Sequence, residues 1–155
     1  MPKKQLTGQD MFGLLRPEQV HLLSEASETI SMDAGSTIFR RGDKATHLHI
    51  VLDGEVALRF QRDKGVSVLI DQVGPGAVFG SCVCFELGEY TLTAQCTVDS
   101  RILSIASATL KKLMDEDVLL GYTLQTLISR IYFKRYIDTM HKLQAIVQTI
   151  PIEAS

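Results

Sequence analysis

The feature that most constrains the fold is a series of short β-type segments separated by glycine turns. Between residues 28 and 106 apolar residues recur with a period of two, in segments rich in Val, Ile, Thr and Phe. Turn-forming pairs such as Gly42-Asp43 and Asp53-Gly54 separate them. The segments are TISM, STIFR, HLHIVL, EVALRF, VSVLIDQV, TLTAQCTV and RILSI. Evenly spaced short strands predict a sandwich or a barrel of the jelly-roll type.

Helical periodicity flanks this region on both sides. Pro17 suits the first turn of a short helix. Beyond the last strand the apolar period returns to about 3.6 residues, and Ser107 and Asp117 are both placed to cap helices. The sequence therefore predicts one mainly β domain with added helices over residues 1–155. Its parts are an N-terminal helical segment (11–27), a double-stranded β-helix or jelly-roll barrel (28–106) and C-terminal helices (107–150).

The long C-terminal helix carries two apolar stripes in succession. Leu120, Leu124, Leu127 and Ile131 follow four-three-four spacing, and the stripe then skips a residue. Because the phase changes in mid-helix, we expect the first half to pack on the barrel and the second half to pack on a second copy. The alternative is a helix that folds back on its own domain. The expected homodimer interface consists of Tyr136, Met140, Leu143, Val147 and Ile150.

Composition excludes several classes of function. The net charge is −2 and the basic residues form no stripe, so a nucleic-acid surface is not expected. No apolar run approaches the roughly 20 residues of a membrane helix, and the first residues lack the apolar core of a signal peptide. The three cysteines do not suggest a disulfide framework. We therefore expect a cytoplasmic protein without membrane or direct DNA contact.

In the stretch GPGAVFGSCVCFELGEYTLTA, residues 74–94, the expected backbone shape and the charge of the side chains indicate different kinds of ligand. Its glycines allow a close approach of backbone to a ligand, but no basic residue occurs between Lys64 and Arg101. A pocket for an anion normally places a basic side chain near the charge. Shape indicates a binding loop, and charge argues against an anionic ligand.

Two stretches of sequence carry a family resemblance. MDAGSTIFRRGDKATHLHIVLDGEVALRF resembles the opening of the cyclic-nucleotide-binding domain, the sensor half of catabolite-activator-type regulators. LIDQVGPGAVFG resembles the approach to the phosphate-binding cassette of that family, and the two closing helices extend the resemblance from about Met11 to Val147. The matching features of the opening are Gly35, Phe39, the Gly42-Asp43 turn and the run from Ile50 to Val56.

The resemblance implies a regulatory, non-enzymatic domain, but the ligand anchors of the family are missing. The family binds a cyclic phosphate through backbone N–H groups and one arginine, and a glutamate after a Phe-Gly pair holds the ribose. Here Ser81 follows Phe79-Gly80, and Leu92 stands two residues before Ala94, where the arginine is expected. We therefore expect no tight binding of cyclic AMP or cyclic GMP and no cofactor. An empty pocket and a different small ligand both stay open.

The candidate ligand-binding residues follow from the same resemblance. In the family the long helix often contacts the purine near the position of Arg135, while Arg40 and Arg59 are other arginines that could reach a ligand. The resemblance also implies a helix-turn-helix domain after the long helix, whereas the given chain ends at Ser155. Direct DNA reading is therefore not expected unless a separate polypeptide supplies that domain or the chain is a fragment of a longer one, and a regulatory protein is a candidate partner. The candidates are Phe79, Gly80, Ser81, Cys82, Val83, Leu92, Thr93, Ala94 and Arg135.

Two other constellations support weaker hypotheses. His47 and His49 alternate on one strand, and with Glu55 they resemble the first metal motif of cupins, although the spacing is off by one residue. A cupin-like metal-dependent protein is thus the alternative reading. Cys82, Cys84 and Cys96 are expected to pack as buried thiols, with a redox or metal role as the alternative. No arrangement for nucleophilic catalysis is visible, so no catalytic and no metal residue is assigned.

Overall fold

The computed structural model of the protein describes residues 15–61, 65–80 and 87–151. This part of the chain contains eight strands and three helices. In chain order they are α1 (Pro17–Glu25), β1 (Glu28–Met32), β2 (Thr37–Phe39), β3 (His47–Asp53), β4 (Val56–Gln61), β5 (Ser67–Val73), β6 (Val78–Phe79), β7 (Thr93–Cys96), β8 (Ser100–Ala106), α2 (Ser107–Glu116) and α3 (Val118–Gln148).

The strands form two four-stranded antiparallel sheets, in the orders β1-β8-β3-β6 and β2-β7-β4-β5. Strands that are consecutive in the chain are mostly not adjacent in a sheet, as expected when two sheets wrap around one interior. The predicted fold class, a mainly β jelly-roll barrel with a short first helix and a long last helix, is confirmed. All seven predicted segments contain a strand, and β6 is the one that the pattern did not indicate.

Strand β3 is buried on both faces and separates two parts of the core. Leu48 and Ile50 belong to a cluster with α2 and α3, whereas Val51 belongs to the cluster that fills the barrel. Since side chains alternate along a strand, His47 and His49 share the face of Val51. The ring of His49 accordingly stacks on Phe79 inside the barrel, with 5.1 Å between the ring centroids.

Helix α3 packs on the outside of the sheet through its first four turns. The side chains of Leu120, Leu124, Ile128 and Ile131 are at most 2% exposed. At 1.5–3 kcal/mol for each buried side chain, this seam contributes on the order of 10 kcal/mol as an upper bound. The predicted packing of the first half of the helix on the barrel is therefore confirmed.

The two predicted helix caps have different outcomes. The carboxylate of Asp117 accepts a hydrogen bond from the backbone N–H of Leu120 at 3.0 Å, which confirms Asp117 as the cap of α3. Ser107 is instead the first residue of α2, and Ala106 in extended conformation precedes it. The backbone N–H of Ser107 donates to the carbonyl of Thr46 at 2.8 Å, so a main-chain carbonyl satisfies the first N–H group of this helix.

The turn at Gly54 is expected to tolerate substitution less well than the turn at Gly42. Both glycines have positive φ, +96° and +88°, but a Cβ at Gly54 would meet the Ser100 side chain and lie 2.7 Å from the Asp99 carbonyl oxygen. Nothing lies within 4 Å of the corresponding position at Gly42. We expect Gly42→Ala to lower the free energy of unfolding by about 1–2 kcal/mol and Gly54→Ala by about 3 kcal/mol or more. Urea denaturation measures both, and equal losses would contradict the described packing.

Candidate functional site

A cavity of about 440 Å³ lies between the barrel and the second half of α3. Its volume falls within the usual range for small-molecule sites, roughly 300–1,000 Å³. The barrel side is mostly apolar and aromatic, while the helix side adds charged and hydroxyl groups. The lining residues are Phe39, Leu58, Ile70, Asp71, Gly80, Leu87, Tyr90, Thr91, Leu92, Tyr132, Arg135, Tyr136, Asp138, Thr139 and Lys142.

Two stacked rings form the rigid wall of the cavity. Phe39 and Tyr90 lie nearly parallel, with 3.7 Å between their ring centroids. The Tyr90 hydroxyl donates to the carbonyl of His47 at 2.9 Å and accepts from the backbone N–H groups of His47 and Thr46 at 2.9 and 3.2 Å. Because these bonds connect Tyr90 to the start of β3, the aromatic wall cannot shift without disturbing the sheet.

Gly80 is required by its surroundings as well as by its backbone. Its φ is +74°, and an added Cβ would lie 3.2 Å from ring atoms of both His49 and Tyr90. A side chain here would be strained and would press on the aromatic wall. The Phe79-Gly80 pair singled out in the sequence thus keeps this edge of the cavity open.

Arg135 enters the cavity from α3 and connects the helix to both sheets. Its Nη2 donates to the carbonyl of Val78 in β6 at 3.0 Å, and its Nε lies 3.5 Å from Oδ2 of Asp71 in β5. The side chain is only 14% exposed, and its guanidinium lies 5.1 Å from the centroid of the Tyr132 ring.

The Nε atom of Arg135 is buried and has no hydrogen-bond partner. The ion-pair distance to Asp71 and this finding are compatible, because the carboxylate is close enough to balance the charge but does not accept a hydrogen bond from Nε. A buried donor without an acceptor is uncommon in a folded protein. Asp71 therefore balances the charge of Arg135, while the Nε donor of Arg135 is left without a hydrogen-bond acceptor.

The charged side chains among the described lining residues balance formally. Arg135 and Lys142 are basic, and Asp71 and Asp138 are acidic. The described lining of the cavity is consequently not an electropositive surface of the kind that phosphate groups favour.

Among the described candidates, Gly80, Leu92 and Arg135 line the cavity, whereas Phe79 lies buried behind it in the barrel core. The hydroxyl of Thr93 accepts from the backbone N–H of Arg41 at 3.0 Å and faces a separate cleft, and Ala94 is buried in the barrel. The remaining candidates, Ser81, Cys82 and Val83, lie outside the described residues.

The sequence did contain a signal for the helix side of the cavity. The site predicted from the sequence lacks Tyr132, Asp138, Thr139 and Lys142 of α3, and it also lacks Asp71 of β5. Continuing the spacing of the buried stripe beyond Ile131 leads to Arg135, Asp138 and Lys142 at steps of four, three and four. Charged residues that continue a buried apolar stripe indicate that the same helix face now borders a polar space.

His49 is the titratable group buried beside the cavity. It is 7% exposed, stacks on Phe39 and Phe79, and its Nδ1 has no hydrogen-bond partner. Burial, with a smaller effect from the charge of neighbouring His47, lowers the pKa of His49 from 6.5 to about 4. The imidazole is therefore neutral near neutral pH and acts as an aromatic packing group.

The structure separates the residues of the cupin-like hypothesis. The rings of His47 and His49 share one face of β3, with 6.2 Å between their centroids, as the alternation of the sequence indicated. The Glu55 carboxylate instead accepts hydrogen bonds from Thr97 at 2.7 Å and from Gln72 at 3.3 Å. Within residues 15–61, 65–80 and 87–151, no group of three or more His, Cys, Asp or Glu side chains is arranged to hold a metal ion.

Cys96 behaves as a packing residue. It is 1% exposed in the barrel core, and burial raises the pKa of its thiol, an effect that a hydrogen bond with Ser100 partly opposes. A protonated buried thiol is a poor nucleophile. Cys82 and Cys84 lie outside the described residues, so the redox hypothesis for the three cysteines is not tested.

Helix α3 presents a second apolar stripe to solvent. Tyr136, Leu143, Val147 and Ile150 are 43–57% exposed, and Met140 is half-buried. This stripe starts earlier than the sequence pattern suggested, because four-three spacing reaches back through Phe133, 62% exposed, to Tyr122, 72% exposed. Its positions are Tyr122, Thr126, Ser129, Phe133, Tyr136, Met140, Leu143 and Val147, followed by Ile150 just beyond the helix.

A jelly-roll barrel with a ligand-sized cavity against its last helix is the architecture of a ligand-sensing regulatory domain. A family model described as the cyclic nucleotide-binding domain matches residues 29–117. The chain belongs to that family, and the resemblance noted in the sequence is confirmed. The part of the chain that the structure describes has no helix long and apolar enough to span a membrane.

Known relatives agree with this assignment. The chain is 26% identical over 125 residues to the cyclic AMP receptor protein of Thermus thermophilus, covering 81% of this chain and 58% of the relative. A crystal structure of the catabolite activator protein of that organism superposes with a TM-score of 0.72 at 26% identity, over 88% of this chain and 63% of that one. The chain thus spans less than two thirds of the length of these regulators.

A third relative shows similarity of fold alone. The global regulator CLP of Xanthomonas campestris, described as responsive to c-di-GMP, superposes with a TM-score of 0.79 at 18% identity. The match covers 87% of this chain and 66% of CLP.

The low pKa of His49 predicts a specific loss of stability in acid. The unfolded chain binds a proton on this histidine below about pH 6.5, while the folded protein does so only below about pH 4, so stability falls as the pH decreases through this window. The expected contribution is about 3 kcal/mol, all of it present above pH 6.5. His49→Phe, which keeps the stack, should flatten this part of the pH profile of urea unfolding. His21→Asn, on the exposed face of α1, is the control, and an unchanged profile in His49→Phe would contradict the assignment.

Proposed function

We propose that the chain is a non-enzymatic regulatory module that binds a small ligand in the cavity and acts as a dimer through α3. The observation that carries this proposal is the double role of α3. One face of the helix borders the cavity through Arg135 and Asp138, and the adjacent face carries an exposed apolar stripe that shares Tyr136 with the cavity. Because a rigid helix joins the two, a ligand that moves α3 also changes the surface that a partner contacts.

Arg135 supplies a route for this coupling. It connects α3 to β6 through Val78 and to β5 through Asp71, so both sheets contact the helix at one side chain. A ligand that bonds to Arg135 competes with these contacts and alters the position that α3 prefers. Only a ligand with different affinities for the two positions shifts their populations.

Tight binding of cyclic AMP or cyclic GMP is not part of the proposed role. Leu92 occupies the place of the arginine that the family uses for the phosphate, and its side chain lines the cavity. Replacing a charge-assisted hydrogen bond by an apolar contact costs about 1.5–3 kcal/mol, or roughly ten- to a hundredfold in affinity. The named relatives respond to cyclic AMP and to c-di-GMP, so the shared fold leaves the ligand open.

The proposed role also includes no direct reading of DNA. The net charge of −2 and the absence of a basic stripe from the sequence argue against a nucleic-acid surface on this chain. A regulatory protein partner is the more consistent target for a ligand-dependent dimer. The relatives that match are regulators, which is consistent with a role outside catalysis.

Leu92→Arg tests the interpretation of the missing anchor. If Leu92 stands where the phosphate-binding arginine belongs, the substitution should raise the affinity for cyclic AMP at least about tenfold relative to wild type. Isothermal calorimetry or a thermal shift measures the change, since bound ligand stabilises the folded state by mass action. Leu92→Gln, polar but uncharged, is the matched control. An unchanged affinity in Leu92→Arg, or an equal gain in Leu92→Gln, would show that the cavity is not the equivalent of the family's nucleotide site.

The dimer is tested by placing charges in the exposed stripe. Met140→Glu combined with Val147→Glu puts unpaired carboxylates into a helix–helix seam, and we expect the dimer dissociation constant to rise at least about a hundredfold. Ala145→Glu combined with Gln148→Glu adds the same charge to the same helix outside the seam and should leave the dimer intact. Sedimentation velocity distinguishes the two species. A monomeric wild-type protein, or a dimer that survives the first pair, would contradict the assignment.

A further inference from the structure

We infer that two dimers, each with its α3 helices parallel, associate through the free ends of these helices into a homotetramer with an antiparallel four-helix bundle at its centre. This inference rests on the dimer of the proposed function and adds a second contact between copies. The contact is the end face of α3, the set of apolar side chains on its last turns. Its members are Phe133, Tyr136, Ile137, Met140, Leu143, Ile146, Val147 and Ile150.

The end face is wider than a seam between two helices requires. A two-helix seam uses side chains at alternating spacings of three and four, which the stripe from Tyr136 to Ile150 already supplies. Ile137 and Ile146 lie on the two flanks of that stripe and are 37% and 61% exposed. With these flanks the apolar arc covers about half of the helix circumference, a width typical of helix bundles.

Both flanking isoleucines are accessible to a further helix. The cavity is lined by other positions of α3, among them Arg135 and Asp138, and not by Ile137 or Ile146. All residues from His141 to Ile150 are exposed, so this end of the helix extends past the barrel. In a parallel pair of α3 helices, each of the two side grooves is bordered by Ile137 of one copy and by Ile146 of the other. The pair therefore offers two equivalent apolar grooves.

The order of the apolar residues identifies the occupant of these grooves as a second pair of the same helices. Successive members of the end face are 3, 1, 3, 3, 3, 1 and 3 residues apart, a series that reads the same in both directions. When two such helices lie antiparallel about the midpoint between Met140 and Leu143, every member comes level with another member. Ile137 then lies level with Ile146. The end face is thus complementary to a reversed copy of itself.

The distribution of charge allows identical ends to associate. The chain has no charged side chain from Leu143 to Pro151. Lys134 and Asp138 of one helix lie level with uncharged residues of its antiparallel neighbour in this arrangement. Lys142, at the centre of the overlap, lines the cavity on another face of the helix. Two copies therefore meet without the like-charge repulsion that opposes self-association.

Sedimentation velocity and light scattering on the full chain test the inference. Wild type should form, with increasing concentration, a species of four times the 17.2 kDa mass of the chain. Ile137→Gln combined with Ile146→Gln alters the flanks but not the seam, so the tetramer dissociation constant should rise at least about a hundredfold while the dimer persists. Ile30→Gln combined with Val98→Gln, the same kind of change at barrel side chains 41% and 46% exposed, should associate like wild type. Circular dichroism confirms that each variant is folded.

The antiparallel direction is tested by exchanging charges. Ile137→Lys alone, or Ile146→Glu alone, puts an unpaired charge into the contact between the two dimers and should abolish the tetramer. Combined in one chain, the two opposite charges lie level across antiparallel helices. The combined variant should therefore form tetramers at least about tenfold more tightly than either single variant. A combined variant that associates no better than the single variants would overturn the antiparallel arrangement.

The outcomes separate this inference from the proposed function. A wild type that stays dimeric up to about 100 μM, or a tetramer that survives Ile137→Gln with Ile146→Gln, overturns the four-helix contact while the dimer remains. A dimer that does not associate further but binds phosphatidylcholine vesicles through the end face has the same meaning. A wild type that is monomeric throughout counts against the inference and the proposed function together.

Discussion

The packing of α3 on the outer face of the β1-β8-β3-β6 sheet is the interaction on which the rest of the structure depends. Leu120, Leu124 and Ile128 bury completely against side chains such as Ile50 and Leu103. This seam sets the direction in which the helix leaves the barrel. Because the helix is continuous, the same face passes over the open edge of the barrel one turn later, where Arg135 meets Val78 and Asp71. The cavity thus forms where the buried apolar stripe of α3 ends at Ile131 and the helix continues along the barrel.

Most of the fold follows from local patterns in the sequence, and the exceptions have physical reasons. The period-two segments and their glycine turns predicted seven of the eight described strands. The eighth, Val78–Phe79, is only two residues long and is ordered by pairing with β3, which no local pattern reveals. Asp117 was recognisable as a cap from its own sequence context. Ser107 was not distinguishable from a cap, because the group that satisfies its backbone N–H, the carbonyl of Thr46, is remote in sequence.

The site was less predictable because it joins elements far apart in the chain. The resemblance pointed to residues near the cassette, and of these Gly80 and Leu92 do line the cavity. Thr93 does not, since its hydroxyl is used by the backbone of Arg41 on the other side of the strand. Asp71 carried no signal, because a single acidic residue on an exposed edge strand is the ordinary expectation. Its importance depends on Arg135, and nothing in the sequence pairs two residues 64 positions apart.

The conflict between a loop shaped to hold a ligand and a loop without basic residues is resolved by where the cation comes from. The guanidinium that reaches this cavity belongs to α3, and it arrives with its charge already balanced by β5. A cation fixed in a barrel loop would hold a ligand without engaging the helix. A cation on the helix, bonded to both sheets, makes any ligand that reaches it a competitor for the contacts that position α3. If Leu92 stands in place of a barrel arginine, as we propose, the link between a ligand and the helix lies in the one side chain of Arg135.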